Sequence, residues 1–393
     1  MTNTRRQFLA NSARAGTAVL ATAWLYGCGG GDANAESGQG AQAGAGTASG
    51  GATAGSEMAW RMPDEADPHS ATWMAFTVSE AIWGKRLQGP VRDALARIAN
   101  AIVEFEPVNL LVSQQDLALA RQKCDPRINF LVQTSNDLWM RDTGAVFVLG
   151  AHGAKAAVGF NFNGWGNKQS YALDRQVAGW MARQAGVPLL DTRLTLEGGG
   201  LEVDGQGTAI VTESCVLNPN RNPGWSKADC EKELARLLGI QKVIWLPGRA
   251  GADITDGHTD FYARFARPGV VVAHLDSDPA SPEYALTRRH LDILRNSRDA
   301  RQRTLQVSTL AAPGYVRPEF DNKDFAAGYV NFYVCNGAVL LPEFGDAQAD
   351  QAARASLAEL FPGRRILQLN IDPIAAGGGG IHCTTQQEPR PTP

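Results

Sequence analysis

Four glycines, Gly377-Gly378-Gly379-Gly380, lead into Ile381-His382-Cys383. Glycine lets backbone approach a ligand with no Cβ in the way. A thiol presented after such a run is placed to act as a nucleophile; the plain alternative is a flexible tail with an inert cysteine. Three other stretches offer it partners. Asn136-Asp137-Leu138-Trp139-Met140-Arg141-Asp142 mixes charge and aromatic bulk. Glu197 stands beside Gly198, Gly199 and Gly200. Asp253-Ile254-Thr255-Asp256-Gly257-His258-Thr259-Asp260 is denser still. His258 and Asp260 are two apart and share a face if the segment is a strand. Histidine beside carboxylate can move a proton and hold a cation. Each stretch also has a structural reading: a surface turn with an ion pair for 136–144, a bulge with an exposed Glu for Glu197. A metal site of Asp253, Asp256, His258 and Asp260 would lack a second histidine, and the calcium-loop register fails. Carboxylates around a thiol raise its pKa, which makes sense if the substrate is a cation that neutralises them. A planar guanidinium fits best, since its paired N–H donors match carboxylates in fork geometry.

These groups must be brought together by the intervening chain. Its 393 residues are 44% hydrophobic and 20% charged, enough for a large core. The formal net charge is −3 and no long basic run occurs, which argues against a nucleic-acid partner. Periodicity predicts helices over 90–105, 171–185, 227–238, 281–295 and 347–360. Strands are predicted over 108–112, 128–132, 145–149, 156–162, 242–246, 270–274, 305–309, 328–334, 338–341 and 366–369. Residues 200–203 and 208–211 read as a hairpin around Asp204-Gly205-Gln206-Gly207. The class is mixed α/β, with hairpins as well as crossovers. Neither GxGxxG nor a P-loop is present, which argues against nucleotide chemistry.

Ahead of this body, residues 1–28 read as an export signal. Arg5-Arg6 precedes an Ala- and Leu-rich stretch in the manner of a twin-arginine signal. Leu25-Tyr26-Gly27-Cys28 resembles a lipobox, with Cys28 as the lipid-bearing residue; the alternative is a cut elsewhere and a free periplasmic protein. Residues 29–57, rich in Gly, Ala and Ser, have too little apolar bulk to fold and read as a disordered tether. From 58 to 393 no linker-like break occurs, so one catalytic domain is expected. Beyond Cys28 the cysteines are Cys124, Cys215, Cys230, Cys335 and Cys383. No zinc spacing occurs among them. Buried free thiols are expected rather than two disulfides, with Cys215, Cys230 and Cys335 in the core.

Taken together, these motifs resemble the agmatine deiminase family, grouped with bacterial-type peptidyl-arginine deiminases. The resemblance runs from Met62-Pro63-Asp64-Glu65 through Asn136–Gly144, Glu197-Gly198-Gly199, Leu217–Pro223, Asp256-Gly257-His258, Asp260 and Val330–Tyr333 to Ile381-His382-Cys383-Thr384-Thr385-Gln386-Gln387. It implies a five-bladed, pseudo-symmetric α/β propeller of pentein-like ββαβ units. It also implies hydrolysis of a guanidinium to a ureido group and ammonia, with water as second substrate and no metal or cofactor. Carried over by motif, Cys383 is the nucleophile, His258 the acid and base, and Asp142 and Asp260 the guanidinium holders. Glu197 would orient His258 or touch substrate, and Trp139 would stack on the substrate or pack in the core. Agmatine is the expected substrate and arginine in peptides the runner-up. Amidino transfer to an amine and a lipid-tethered guanidine-binding protein without turnover are further readings. Ile254, Gly380 and the segment Asn161–Asn167 depart from the family pattern.

Overall fold

The computed structural model describes residues 59–391, so the export and tether expectations, Cys28 included, lie outside the described residues. Sixteen strands are described. In chain order they are β1 (His69–Ala75), β2 (Val108–Val112), β3 (Asn129–Val132), β4 (Val146–Leu149), β5 (Lys155–Val158), β6 (Leu189–Leu190), β7 (Leu201–Val203) and β8 (Thr208–Thr212). There follow β9 (Lys242–Leu246), β10 (Ala263–Arg267), β11 (Val270–Leu275), β12 (Gln306–Ala311), β13 (Tyr333–Cys335), β14 (Ala338–Glu343), β15 (Arg365–Asn370) and β16 (Thr385–Pro389).

They form five small sheets. Four of these, β4-β5-β6, β7-β8-β9, β10-β11-β12 and β13-β14-β15, repeat one pattern: the first strand is antiparallel to the second, which is parallel to the third. A parallel pair needs a crossover. Helices Val177–Gln184, Lys227–Leu238, Glu283–Arg295 and Ala347–Leu360 supply it. The fifth sheet makes the same unit from distant parts of the chain. There β16 is antiparallel to β1, and β1 is parallel to β2 across helix Glu80–Ile102; β3 adds an edge. First strands meet across sheets, β16 against β4 and β7 against β10. The mixed α/β class and five propeller blades are thus as expected.

Local sequence explains most elements. β8, β11 and β14 are nearly continuous apolar runs, as strands covered on both faces must be. Helix Lys227–Leu238 buries Cys230, Leu234, Leu237 and Leu238. It starts at a Ser226/Asp229 capping box and ends at Gly239, φ 70°. Elsewhere the boundaries move. The helix expected from residue 90 begins at Glu80 and breaks at Gly84, φ 64°, with Pro90 inside its second part. The helix expected over 171–185 is α-helical only from Val177, after a 3-10 turn. The strand expected over 328–334 starts at Tyr333. Strands β1, β10 and β16 and helix Leu117–Lys123 were not foreseen. β10 holds the fully buried Arg264, and β16 reads Thr-Gln-Gln-Glu-Pro, so neither shows apolar alternation.

The blades share one feature that builds the site. Each first strand is entered from a tight turn: helix Met140–Thr143 before β4, and 3-10 turns Gly198–Gly200 before β7, Thr259–Phe261 before β10 and His382–Thr384 before β16. Before β13 an Asn331 N–H to Gly328 carbonyl bond makes the turn.

Candidate active site

The five turns deliver Asp142, Glu197, His258 with Asp260, Asn331 and Cys383, all buried. Most of the convergence is direct. Cys383 Sγ lies 3.5 Å from Asp260 Oδ2 and accepts a hydrogen bond from Asn331 Nδ2 at 3.2 Å. His258 Nε2 is 3.1 Å from Glu197 Oε2, and its Nδ1 is 3.7 Å from Asp142 Oδ1. The Gly199 N–H donates to Asp142 Oδ1 at 3.1 Å. A Cβ on Gly199 would sit 2.6 Å from His258 Nδ1 and 2.8 Å from that same oxygen, so the Glu197 glycines make room for the site itself.

Trp165 Nε1 donates to Asp142 Oδ2 at 2.9 Å. Its backbone sits at φ 54°, a region costly for a bulky residue. That bond, together with edge contact on Phe162 at 4.9 Å between ring centroids, holds it there. Trp139 lies 5.7 Å from Trp83 between ring centroids and also lines the cavity, so the packing and substrate-facing expectations meet in one residue. A Cβ on Gly379 would fall 2.2 Å from Trp139 Cζ3, and one on Gly377 2.2 Å from Trp83 Cη2. The glycine run is therefore where the backbone passes against two indoles. The cavity measures about 600 Å³ and opens between Ile82, Ile254 and Phe325, with Cys383 among its lining residues.

Electrostatics follow from burial and mutual proximity. Burial, Asp260 and Asp142 push the Cys383 thiol well above its usual range. Burial raises Asp142 to about 6, with Asp260 and Glu197 adding to the shift and His258 opposing it. Burial works against a charged His258, yet Asp142, Cys215 and Glu197 hold its pKa well above the ordinary value. Glu197 stays below the usual carboxylate range despite burial, because Arg221 and His258 face it. Arg221 Nε lies 2.9 Å from both Glu197 oxygens. Glu197, Cys215 and His258 are the one group among the described residues whose potential metal-ligand atoms lie within 4.8 Å of one another. Arg221 already supplies the cation at Glu197.

A family model for Porphyromonas-type peptidyl-arginine deiminase matches residues 61–389. A Streptomyces coelicolor protein provisionally named an agmatine deiminase is 40% identical over 341 residues, 85% of this chain and 100% of its own. The agmatine deiminase of Pseudomonas fluorescens is 36% identical over 356 residues, 84% and 96% of the two chains. The chain belongs to the agmatine deiminase and Porphyromonas-type peptidyl-arginine deiminase family. The solved agmatine deiminase of Enterococcus faecalis superposes with a TM-score of 0.80 at 33% identity, covering 85% of this chain and 97% of that one.

Within this family framework, all six residues expected at the site are found around or beside one cavity. The expected local geometry was different. His258 and Asp260 do not share a strand face; His258 precedes a 3-10 turn and Asp260 lies in it. Arg141 and Asp142, read as part of a surface turn with an ion pair, are buried in a helical turn. Cys215 is buried as expected, but its Sγ is 3.6 Å from Glu197 Oε2. The five described cysteines are free and buried. His382, given no role from the sequence, has its Nδ1 2.7 Å from Asp260 Oδ2. Glu65, Arg221 and Asn331 lay in quoted motifs without an assigned role. The available signal was a charged or amide residue inside an otherwise apolar or Gly-rich stretch.

Proposed function

We propose that the protein hydrolyses agmatine to N-carbamoylputrescine and ammonia. The observation that carries this reading is the convergence of one thiol, one imidazole and two aspartates on a single buried spot. In the mechanism, Asp142 and Asp260 accept N–H groups of the guanidinium and bring its carbon onto Cys383 Sγ. The cation offsets the aspartate charges that keep the thiol protonated, so the thiol gives its proton to solvent. The thiolate attacks, a C–S bond forms, and the C–N bond to the departing nitrogen breaks as His258 gives it a proton. Ammonia leaves an amidino-cysteine adduct. His258 then takes a proton from water, the resulting hydroxide attacks the same carbon, and the C–S bond breaks as the new hydroxyl proton passes to sulfur, which releases the ureido product and the free thiol. Glu197, fixed by Arg221, orients His258 through both steps.

The cavity wall supports an amine-bearing tail over a free α-carboxylate. Asp137, Asp253, Glu283 and Asp324 line it, with Lys323 as the lysine among its lining residues. The experiment is ammonia release from agmatine, free arginine and an arginine peptide side by side. Agmatine turnover lost in Cys383→Ala is the expected result. Agmatine binding without turnover in the wild type would overturn the reading in favour of a binding protein. Preference for the peptide would move the substrate to protein arginine, the activity named in the matching family model. Export through Arg5-Arg6 and a lipid tether at Cys28 are part of the same proposal. Cell fractionation of wild type and Cys28→Ser tests them; equal distribution of both in the soluble fraction would refute the tether.

A further inference from the structure

The two oxygens of Asp260 have different surroundings. Oδ2 lies 2.7 Å from His382 Nδ1 and 3.5 Å from Cys383 Sγ, whereas Oδ1 is buried with no hydrogen-bond partner. His382 in turn sets Nε2 2.9 Å from Glu65 Oε2. Glu65 accepts hydrogen bonds from Arg141 at 2.9 Å, Arg264 at 2.7 Å and the Val334 N–H at 2.9 Å. Charge of alternating sign therefore runs from two buried arginines through Glu65 and His382 to the carboxylate beside the thiol. Asp260 is faced by His382 and Cys383 from the turn before β16, Asp142 from the turn before β4, His258 from its own segment and Arg264 from β10. Burial, Asp142 and a Cys383 thiolate all oppose its charge. Of the cationic groups that favour its charge, only the His382 ring bonds to it directly; the Cys383 thiol, while protonated, also donates to Oδ2 at 3.5 Å.

Resting on the deiminase reading above, we propose that His382 is a positioning residue. It holds Asp260 ionised, with Oδ1 turned free for the guanidinium, and is itself held by Glu65. Burial, Arg141 and Arg264 lower the His382 pKa below its ordinary value, although Glu65 and Asp260 favour the cation; the case for the cation is the hydrogen-bond geometry. With Glu65 and Asp260 both ionised and an oxygen of each within 2.9 Å of a ring nitrogen, only the doubly protonated ring avoids setting a lone pair against a lone pair. The imidazolium is the form that this geometry satisfies.

The test is kcat/KM for agmatine against pH in wild type, His382→Ala and His382→Asn, with thermal unfolding of each. Asn keeps an N–H donor near the Nδ1 position but carries no charge. In the alanine variant the pKa of Asp260 should rise past that of Asp142, about 6, so that the acid limb moves to higher pH by about one unit, roughly a tenfold loss of kcat/KM in that range, with KM raised. The asparagine variant should recover part of the loss. An acid limb left unmoved in both variants, with activity tracking thermal stability alone, would overturn the proposal. If the alanine variant does not fold, the asparagine variant carries the same comparison. If wild type releases no ammonia from agmatine, the deiminase reading fails by itself. Calorimetric binding of agmatine to wild type and His382→Asn, read for the same pH shift, then still decides the role of His382.

Discussion

Asp142 and Cys383 pull the pH dependence in the same direction, since the reaction needs both groups deprotonated and both pKa values are raised. Asp142 must be ionised to hold a cation, and its pKa is raised to about 6. Activity toward a guanidinium should therefore fall as pH drops through about 6. Cys383 is pushed upward, so in the free enzyme the thiol is mostly protonated at neutral pH. Its alkylation by iodoacetamide should keep accelerating past the usual thiol range of ~8.5, with no plateau near neutrality. A plateau at or below pH 7 would show a resting thiolate and remove the need for substrate to activate it. His258, held charged well above its ordinary range, can donate its proton across the interval between these limits.

At the scale of elements, five short turns each aim residues at one point, and this was only partly legible in the sequence. The glycine runs marked where backbone comes close, and the nucleophile and its partners were found through them. Their conformation was not readable, because a 3-10 turn of three residues has no periodicity to recognise. Strand β16 was missed for a related reason. Its Gln387 accepts from Arg141 at 2.7 Å, and its Glu388 accepts from Trp73 Nε1 at 2.8 Å. Gln387 and Glu388 are buried because they are bonded, and composition alone does not reveal that. The glycine run gives a direct check. Gly379→Ala puts a methyl into the Trp139 ring, and overpacking of this kind costs about 1–3 kcal/mol. Thermal unfolding should show that loss, with kcat/KM for agmatine falling further than stability alone explains, since Trp139 lines the cavity. Wild-type kinetics in a merely destabilised variant would mean that the ring does not touch substrate.

Across the whole molecule, Glu65 bonds to groups from four blades. It meets Arg141 ahead of β4, Arg264 on β10, Val334 on β13 and His382 ahead of β16, and Arg264 passes the contact on to Glu202 on β7 at 2.8 Å. Removing it would leave two fully buried guanidiniums short of an anion. Glu65→Ala should therefore destabilise by about 3–5 kcal/mol, measured as a lowered denaturant midpoint with the slope unchanged. A loss below about 1 kcal/mol would mean that water or Glu202 replaces it. The fold class was legible because strand and helix patches alternate. The hub was not, because nothing in Met62-Pro63-Asp64-Glu65 says which distant cations will reach it.

The pairing of β16 with β1 also orders events during synthesis. Every other residue of the site precedes Cys383 in the chain, and the strand after it must find one that left the ribosome first. Contacts between such distant segments form late and slowly. A nascent chain therefore carries the guanidinium holders and the imidazole through the last third of its translation, at ~5–20 residues per second, without the sulfur or the strand that seats it. The growing polypeptide is inert toward guanidines until residues through Pro389 have emerged and paired, and catalytic competence arrives together with closure of the ring.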